Sequence, residues 1–282
     1  MTLGLVQSTA SENPAKNQKK TIKRIEEAAK KGAQIVCLQE LYRTKYFPQY
    51  DRQNVSELAE TIPGESTAAL TTLAKKHSIV IVAPLFERGL DGKFYNSAAT
   101  INANGDILGV YRKTHVPYDP FFYEKTYFAE GNVGYGVYQT RYACISVLIC
   151  YDQWFPEPAR ISVLRGADII FYPTAIGTIK GFNLEDEDWL NAWKTVQRSH
   201  AIENGVHIAA VNRVGEENDL KFWGGSFVCD SFGKVLGEAN NAEEETLIVT
   251  VDLAKNSQIR NGWRFLANRR PETYQLLAEK MI

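Results

Sequence analysis

Between Ser11 and Lys31 the apolar residues Ile22, Ile25, Ala28 and Ala29 recur at helical spacing, behind Asn13-Pro14 and ahead of Gly32. That pattern predicts a capped amphipathic helix. Before it, "LGLVQS" reads as a short strand, and after it "QIVCLQE" alternates too poorly for a half-exposed strand but suits one buried on both faces. Glu40 ends that run. A helix around "STAALTTLAKKH" follows, then a strand "IVIVAPLFER" and two more, "YNSAATI" and "ILGVYRK", joined by the turn "NANGD". Lys113 stands where the last of these stops.

The second half repeats this logic. The apolar run "ACISVLIC" reaches Cys150 and gives way to a helix from Pro156 to Arg165, then to the strand "ADIIFYPT". A helix from about Asp186 to Asn204 carries Trp189, Trp193, Val196 and His200 on one stripe, and "VHIAAVNRV", "GGSFVCDS" and "ETLIVTVDL" read as strands. Strands and helices alternate with no low-complexity linker, which predicts one domain over residues 1–282, with stacked sheets inside and helices outside. The tail from about Asn256, with Pro271 opening a last helix, is long for a cap and is expected to reach a partner subunit.

Composition narrows the functional classes. Hydrophobic residues at 44% and charged residues at 23% supply a core and exclude a disordered chain. Lys+Arg 32 against Asp+Glu 33 leaves a net charge of −1, so no global field draws the protein to nucleic acid or an anionic membrane. The start "MTLGLVQSTA" has no basic and apolar leader, and no run is long enough to span a bilayer, which makes a cytoplasmic protein the expectation. Cys37, Cys144, Cys150 and Cys229 form no C-x-x-C pair, which argues against a disulfide framework or a zinc ribbon. No phosphate loop, dinucleotide fingerprint or metal-ligand spacing occurs, so neither metal nor cofactor is expected. Gly224-Gly225-Ser226 lacks the frame of a serine hydrolase and reads as a bulge or close packing.

Cys150, at the end of a buried strand and just before a helix, is placed where backbone N–H groups favour thiolate, although a free cysteine is most often a small core residue. Its company changes the weighting. Glu40 and Lys113 also sit at strand ends, where α/β proteins assemble sites. The set suits a carbonyl substrate: Glu40 takes the thiol proton and hands it to a departing amine, while Lys113 offers positive charge to the oxyanion. Structural roles are expected for His77, His200 and His207, and a loop hydrogen bond for His115.

The stretches "CLQELY" around Glu40, "YRKTHVP" around Lys113 and "CYDQWFPEPAR" around Cys150 resemble, in order and across the whole chain, the motif regions of the nitrilase superfamily, the carbon-nitrogen hydrolases with a Glu-Lys-Cys site. The resemblance implies a four-layer α-β-β-α sandwich, pairing into a homodimer or higher homo-oligomer, no cofactor, and attack of Cys150 on a C–N carbonyl or nitrile carbon. It also implies a second glutamate on the loop after the lysine, matched by Glu124 in "FFYEKTYF".

Within the superfamily, "ICYDQWFPE", "FYPTAIG", "QRSHAIENG" and "AAVNRVG" look most like N-carbamoylputrescine amidases, which implies an N-carbamoyl amine substrate and release of putrescine, ammonia and carbon dioxide. Tyr151, Thr174 and Ala175 lie in these motifs and are candidate substrate contacts. Tyr46, Tyr118, Tyr123, Trp154 and Trp189 could wall an apolar slot, or belong to the core. In plant-type members an acid after the "TAIG" segment faces the distal amine, whereas here Ile179 and Lys180 follow. Asp119, or the run Glu185, Asp186, Glu187 and Asp188, must then supply the acid, unless that run only favours a helix N-terminus. Rival readings are the same chemistry on N-carbamoyl-β-alanine or an ω-amide, which calls for a pocket arginine, and a silent binding module, against which the intact triad argues.

Overall fold

The computed structural model describes residues 1–181 and 188–279. Strand β1 (Thr2–Gln7) leads to helix α1 (Pro14–Lys30), strand β2 (Ile35–Leu38), helix α2 (Glu65–His77) and strands β3 (Val80–Arg88), β4 (Phe94–Ile101) and β5 (Ile107–Arg112). The second half runs through β6 (Val137–Gln139), β7 (Cys144–Val147), α3 (Pro156–Leu164), β8 (Ile169–Thr174), β9 (Gly177–Ile179), α4 (Trp189–Asn204) and β10 (His207–Asn212). It closes with β11 (Val214–Glu217), β12 (Leu220–Trp223), β13 (Phe227–Cys229), β14 (Val235–Glu238), β15 (Glu245–Thr250) and α5 (Ala254–Trp263).

Two six-stranded sheets, ordered β15-β1-β2-β3-β4-β5 and β14-β13-β10-β8-β7-β6, stack face to face, with α1 and α2 outside the first and α3 and α4 outside the second. This is the four-layer sandwich expected from the sequence. The poor alternation of β2 has its cause here: Ile35 and Cys37 point into the core between the sheets, while Val36 and Leu38 pack under α1 and α2. A strand covered on both faces has no polar side to show. At the start of α1 the Asn13 side chain accepts from the Lys16 N–H, with Pro14 in the first turn, so the capping read from sequence is present.

Three expectations need correction. On α4 the buried face is Trp193, Gln197, His200, Ala201 and Asn204; Trp189 is exposed and Gln197, not Val196, lies under the helix. Gln197 is tolerated there because its amide donates to the Trp193 carbonyl. Pro271 opens only a 3-10 turn, Pro271–Thr273. A third, three-stranded sheet, β11-β12-β9, was not foreseen. It depends on Gly177, since a Cβ there would sit 2.1 Å from the Lys221 carbonyl oxygen. Gly224 and Gly225 both take positive φ, and a Cβ at Gly224 would press on Gln7, so the close-packing reading of that segment describes it.

Candidate active site

Topology brings three chain segments to one rim. β2 and β3 are parallel, and two antiparallel steps through β4 return β5 to the same direction, so Glu40 and Lys113 both follow strands that end on the same side. Cys150 follows β7 in the facing sheet. There the chain enters a 3-10 turn, Cys150–Trp154, with Cys150 itself at φ +45°, a conformation a side-chain-bearing residue adopts only where its surroundings impose it.

Those surroundings are the buried Asp152. One carboxylate oxygen accepts from the Ile149 N–H and the Tyr111 hydroxyl, and the other from the backbone and the ring Nδ1 of His115. A single side chain thus ties the cysteine turn to the loop that follows Lys113. His115 has the loop role expected of it. Gln153 anchors the other side, its Oε1 accepting from the Trp193 indole and the Thr174 hydroxyl, its carbonyl lying 2.9 Å from His200 Nε2.

Lys113 is buried with both glutamates. Its ammonium donates to both oxygens of Glu124, at 2.8 and 2.7 Å, and to Oε1 of Glu40 at 3.0 Å. Asn96 also donates to Glu40 Oε1, while Glu40 Oε2 is buried without a partner among the described residues. Burial opposes the Lys113 charge, but Glu124, Glu40 and Cys150 more than offset it, so the amine is held charged far above its usual range. Glu124 is raised, chiefly by burial, with Lys113 opposing and Glu40 adding to the rise.

The cysteine departs from expectation. Helix α3 begins only at Pro156, and burial together with Glu40 pushes the Cys150 thiol well above the ordinary range, against the opposing pull of Lys113 and a hydrogen bond from the Ala175 backbone. Burial and the Glu40 charge thus favour the thiol, against the N–H groups that the sequence reading expected to favour thiolate. Deprotonation therefore needs an acceptor, and the free oxygen of the neighbouring Glu40 is one.

A cavity of about 520 Å³ opens over Cys150 and Glu124, walled by Phe121, Phe122, Tyr151, Trp154, Ile176 and Trp223. Asp119, Ile179 and Trp189 also line it, and none of its described lining residues is lysine or arginine. Asp119 opens a tight turn closed by hydrogen bonds with Phe122, and its carboxylate is exposed. Asn212 fixes the Ile176 wall by bonding both its N–H and its carbonyl.

Several sequence candidates stand elsewhere. Tyr46 does not line the cavity; it is buried behind it, its hydroxyl donating to Glu124 Oε1 at 2.6 Å. Tyr118 and Tyr123 pack edge to face outside the lining. Thr174 is buried against Gln153 and the Tyr172 carbonyl, and Ala175 contributes its backbone rather than its side chain. Asp188 caps α4 by accepting from the Asn191 N–H, which is the helix-terminus alternative, and Glu185, Asp186 and Glu187 lie outside the described residues. Sequence reasoning missed Asn96, Asp152 and Gln153. Only the last two carried a signal, as buried polar residues directly after a candidate nucleophile.

Comparison with known proteins agrees with this architecture. The carbon-nitrogen hydrolase family model matches residues 2–261. An N-carbamoylputrescine amidase of Oryza sativa is 38% identical over 98% of this chain and 94% of its own, and a citrullinase of Francisella tularensis is 40% identical over 99% and 98%. A carbon-nitrogen hydrolase crystal structure from Helicobacter pylori G27 superposes with a TM-score of 0.95, at 38% identity, over 100% of this chain and 99% of that one. A mutant amidase from Nesterenkonia sp. AN1, carrying the acetamide moiety of fluoroacetamide covalently at its active-site cysteine, gives 0.78 at 26% identity over 98% and 95%.

Proposed function

This chain belongs to the carbon-nitrogen hydrolase family and is an amidase, and we propose that its substrate is N-carbamoylputrescine, hydrolysed to putrescine, ammonia and carbon dioxide through a cysteine-bound carbamoyl intermediate. Glu40 Oε2 takes the thiol proton as Cys150 Sγ bonds to the carbamoyl carbon. The carbonyl π electrons move to oxygen, and Lys113 stabilises that oxyanion. Collapse breaks one C–N bond, the departing nitrogen receiving the proton from Glu40. Water, deprotonated by Glu40, then attacks the carbamoyl-enzyme, the thiolate leaves and recovers a proton, and the carbamic acid released loses carbon dioxide. Glu124 holds Lys113 in place. The covalent cysteine adduct of the Nesterenkonia amidase supports Cys150 in this role.

One observation carries the substrate choice: among the described residues, an apolar and aromatic cavity leads from Cys150 to a rim bearing the Asp119 carboxylate and no cation. Four methylenes of a putrescine chain suit such walls and its ammonium suits the rim acid. N-Carbamoyl-β-alanine and ω-keto-amide acids would bring a carboxylate against Asp119, while citrulline carries the same ammonium but adds an α-carboxylate that no described lining cation pairs. The test is kcat/KM for N-carbamoylputrescine, citrulline, N-carbamoyl-β-alanine and a neutral N-carbamoyl alkylamine. The amine substrate should lead by at least tenfold, and preference for either carboxylate overturns the reading.

We place the active chain in a homo-oligomer, as the exposed Phe232, Trp263 and Phe265, with the Trp263 ring packed on both phenylalanines, and the exposed Leu276 and Leu277 of the tail leave apolar side chains that a second copy would cover. No helix among the described residues is long and apolar enough to cross a membrane.

A further inference from the structure

Outside the cavity, one ion pair is nearly as inaccessible as the Lys113 cluster. Arg213, the residue after β10, and Glu217, which ends β11, face each other at 2.6 Å with side chains 0% and 2% exposed. Burying two charges is costly unless most of their hydrogen-bonding capacity is used. Here most of it is used: four of the five guanidinium N–H groups and both Glu217 oxygens are paired, chiefly with the segment between Glu40 and Tyr46. The buried Arg213 Nε has no partner among the described residues. Arg213 Nη2 donates to the carbonyls of Glu40 and Leu41, at 3.0 and 2.9 Å, and Nη1 to that of Thr44 at 2.9 Å. Leu41 has φ +49°, so the guanidinium fork holds a turn that the backbone would not choose alone. Glu217 uses its second oxygen to accept from the Tyr46 N–H at 2.6 Å, and the Tyr46 hydroxyl in turn donates to Glu124.

We infer that the Arg213–Glu217 pair is a positioning device for the reaction: through the Glu40 carbonyl on one side and Tyr46 on the other, it sets both carboxylates that flank Lys113. The inference rests on the roles given to those groups under Proposed function. Lysine cannot replace the arginine, because an ammonium lacks the planar fork that reaches three carbonyls and a carboxylate at once.

The experiment is a double-mutant cycle on the full chain, with kcat expressed per folded molecule from near-ultraviolet circular dichroism. Arg213→Lys, and separately Glu217→Gln, should lower kcat at least tenfold with KM within threefold of wild type. In a Glu40→Gln background, Arg213→Lys should cost less than threefold more, since the group it positions is already disabled. A merely structural role predicts the same loss in both backgrounds, or a kcat per folded molecule within twofold of wild type; either overturns the inference. Failure of both single variants to fold also overturns it, by assigning the pair to stability. Wild-type kcat in Glu40→Gln alone would instead sink the Glu40 role beneath it, a result separable from the others.

Discussion

Lys113 gives Glu124 two hydrogen bonds and Glu40 only one. The asymmetry distinguishes two carboxylates of the same chemistry. Glu124 is saturated by the ammonium and the Tyr46 hydroxyl, while Glu40 keeps an oxygen free to exchange protons. Glu40→Gln keeps the shape but cannot accept a proton, so kcat should fall by roughly 10²-fold or more with little change in KM. Cys150→Ala should abolish turnover without loss of folding. A Glu40→Gln enzyme altered only in KM would contradict the general-base role.

Because burial and the Glu40 charge push the Cys150 thiol upward, alkylation of the free enzyme should be slow at neutral pH. The rate should still climb about tenfold per pH unit at about pH 8.5, where an ordinary cysteine is half ionised and its rate begins to level off. Iodoacetamide kinetics between pH 6 and 10, with the modified residue located by mass spectrometry, give the answer. A rate already at its plateau below pH 7, at Cys150, would mean that the resting site holds a thiolate after all.

How much of this was legible in the sequence depended on how far each feature was local. The strands with both faces buried announced themselves as apolar runs, and α1 by its cap and stripe. The sheet β11-β12-β9 did not, because its strands are three or four residues long and carry Glu216, Glu217 and Lys221 in so short a space. Glu40, Lys113 and Cys150 stood out because each is a reactive residue at the end of a strand-like run. Asn96 and Tyr46 act through partners 56 and 78 residues away in the chain, and no periodicity encodes such a pairing. The thiol's upward shift was not legible for a related reason: the Glu40 charge that adds to burial comes from tertiary packing, whereas the sequence offered the buried strand and the helix that follows.

Removing the Lys113 ammonium leaves two carboxylates buried side by side. Lys113→Ala should cost on the order of 3 to 5 kcal/mol of stability at neutral pH, beyond its effect on catalysis. The sign with pH follows. In wild type the lysine titrates far above its ordinary value, so its own charge is in place at every pH below about 10. In the variant Glu124 loses the ammonium that opposes its upward shift, so it must be ionised at a greater cost as pH climbs. Denaturant melts at pH 5 and pH 8 should show the deficit smaller at pH 5, and a deficit that grows on acidification would refute the buried-pair account.

The last prediction concerns the far end of the cavity. Asp119 is the described acid at the rim, held in a tight turn, yet it stands exposed to water. An ammonium that reaches it is only partly dehydrated, so the pair should contribute about 1 to 2 kcal/mol rather than the larger figure of a dry pocket. Asp119→Asn should therefore lower kcat/KM for N-carbamoylputrescine roughly 5- to 30-fold and leave a neutral N-carbamoyl alkylamine within twofold. Because the pair is near solvent, raising the salt from 0.01 to 0.5 M should erode the wild-type preference for the amine in the same direction as the substitution. Asp188→Asn is the matched control: that carboxylate caps α4 and does not line the cavity, so it should lower thermal stability slightly and leave selectivity unchanged. If selectivity instead follows Asp188 and ignores Asp119, the ammonium lies toward the start of α4, and the rim acid has been assigned to the wrong loop.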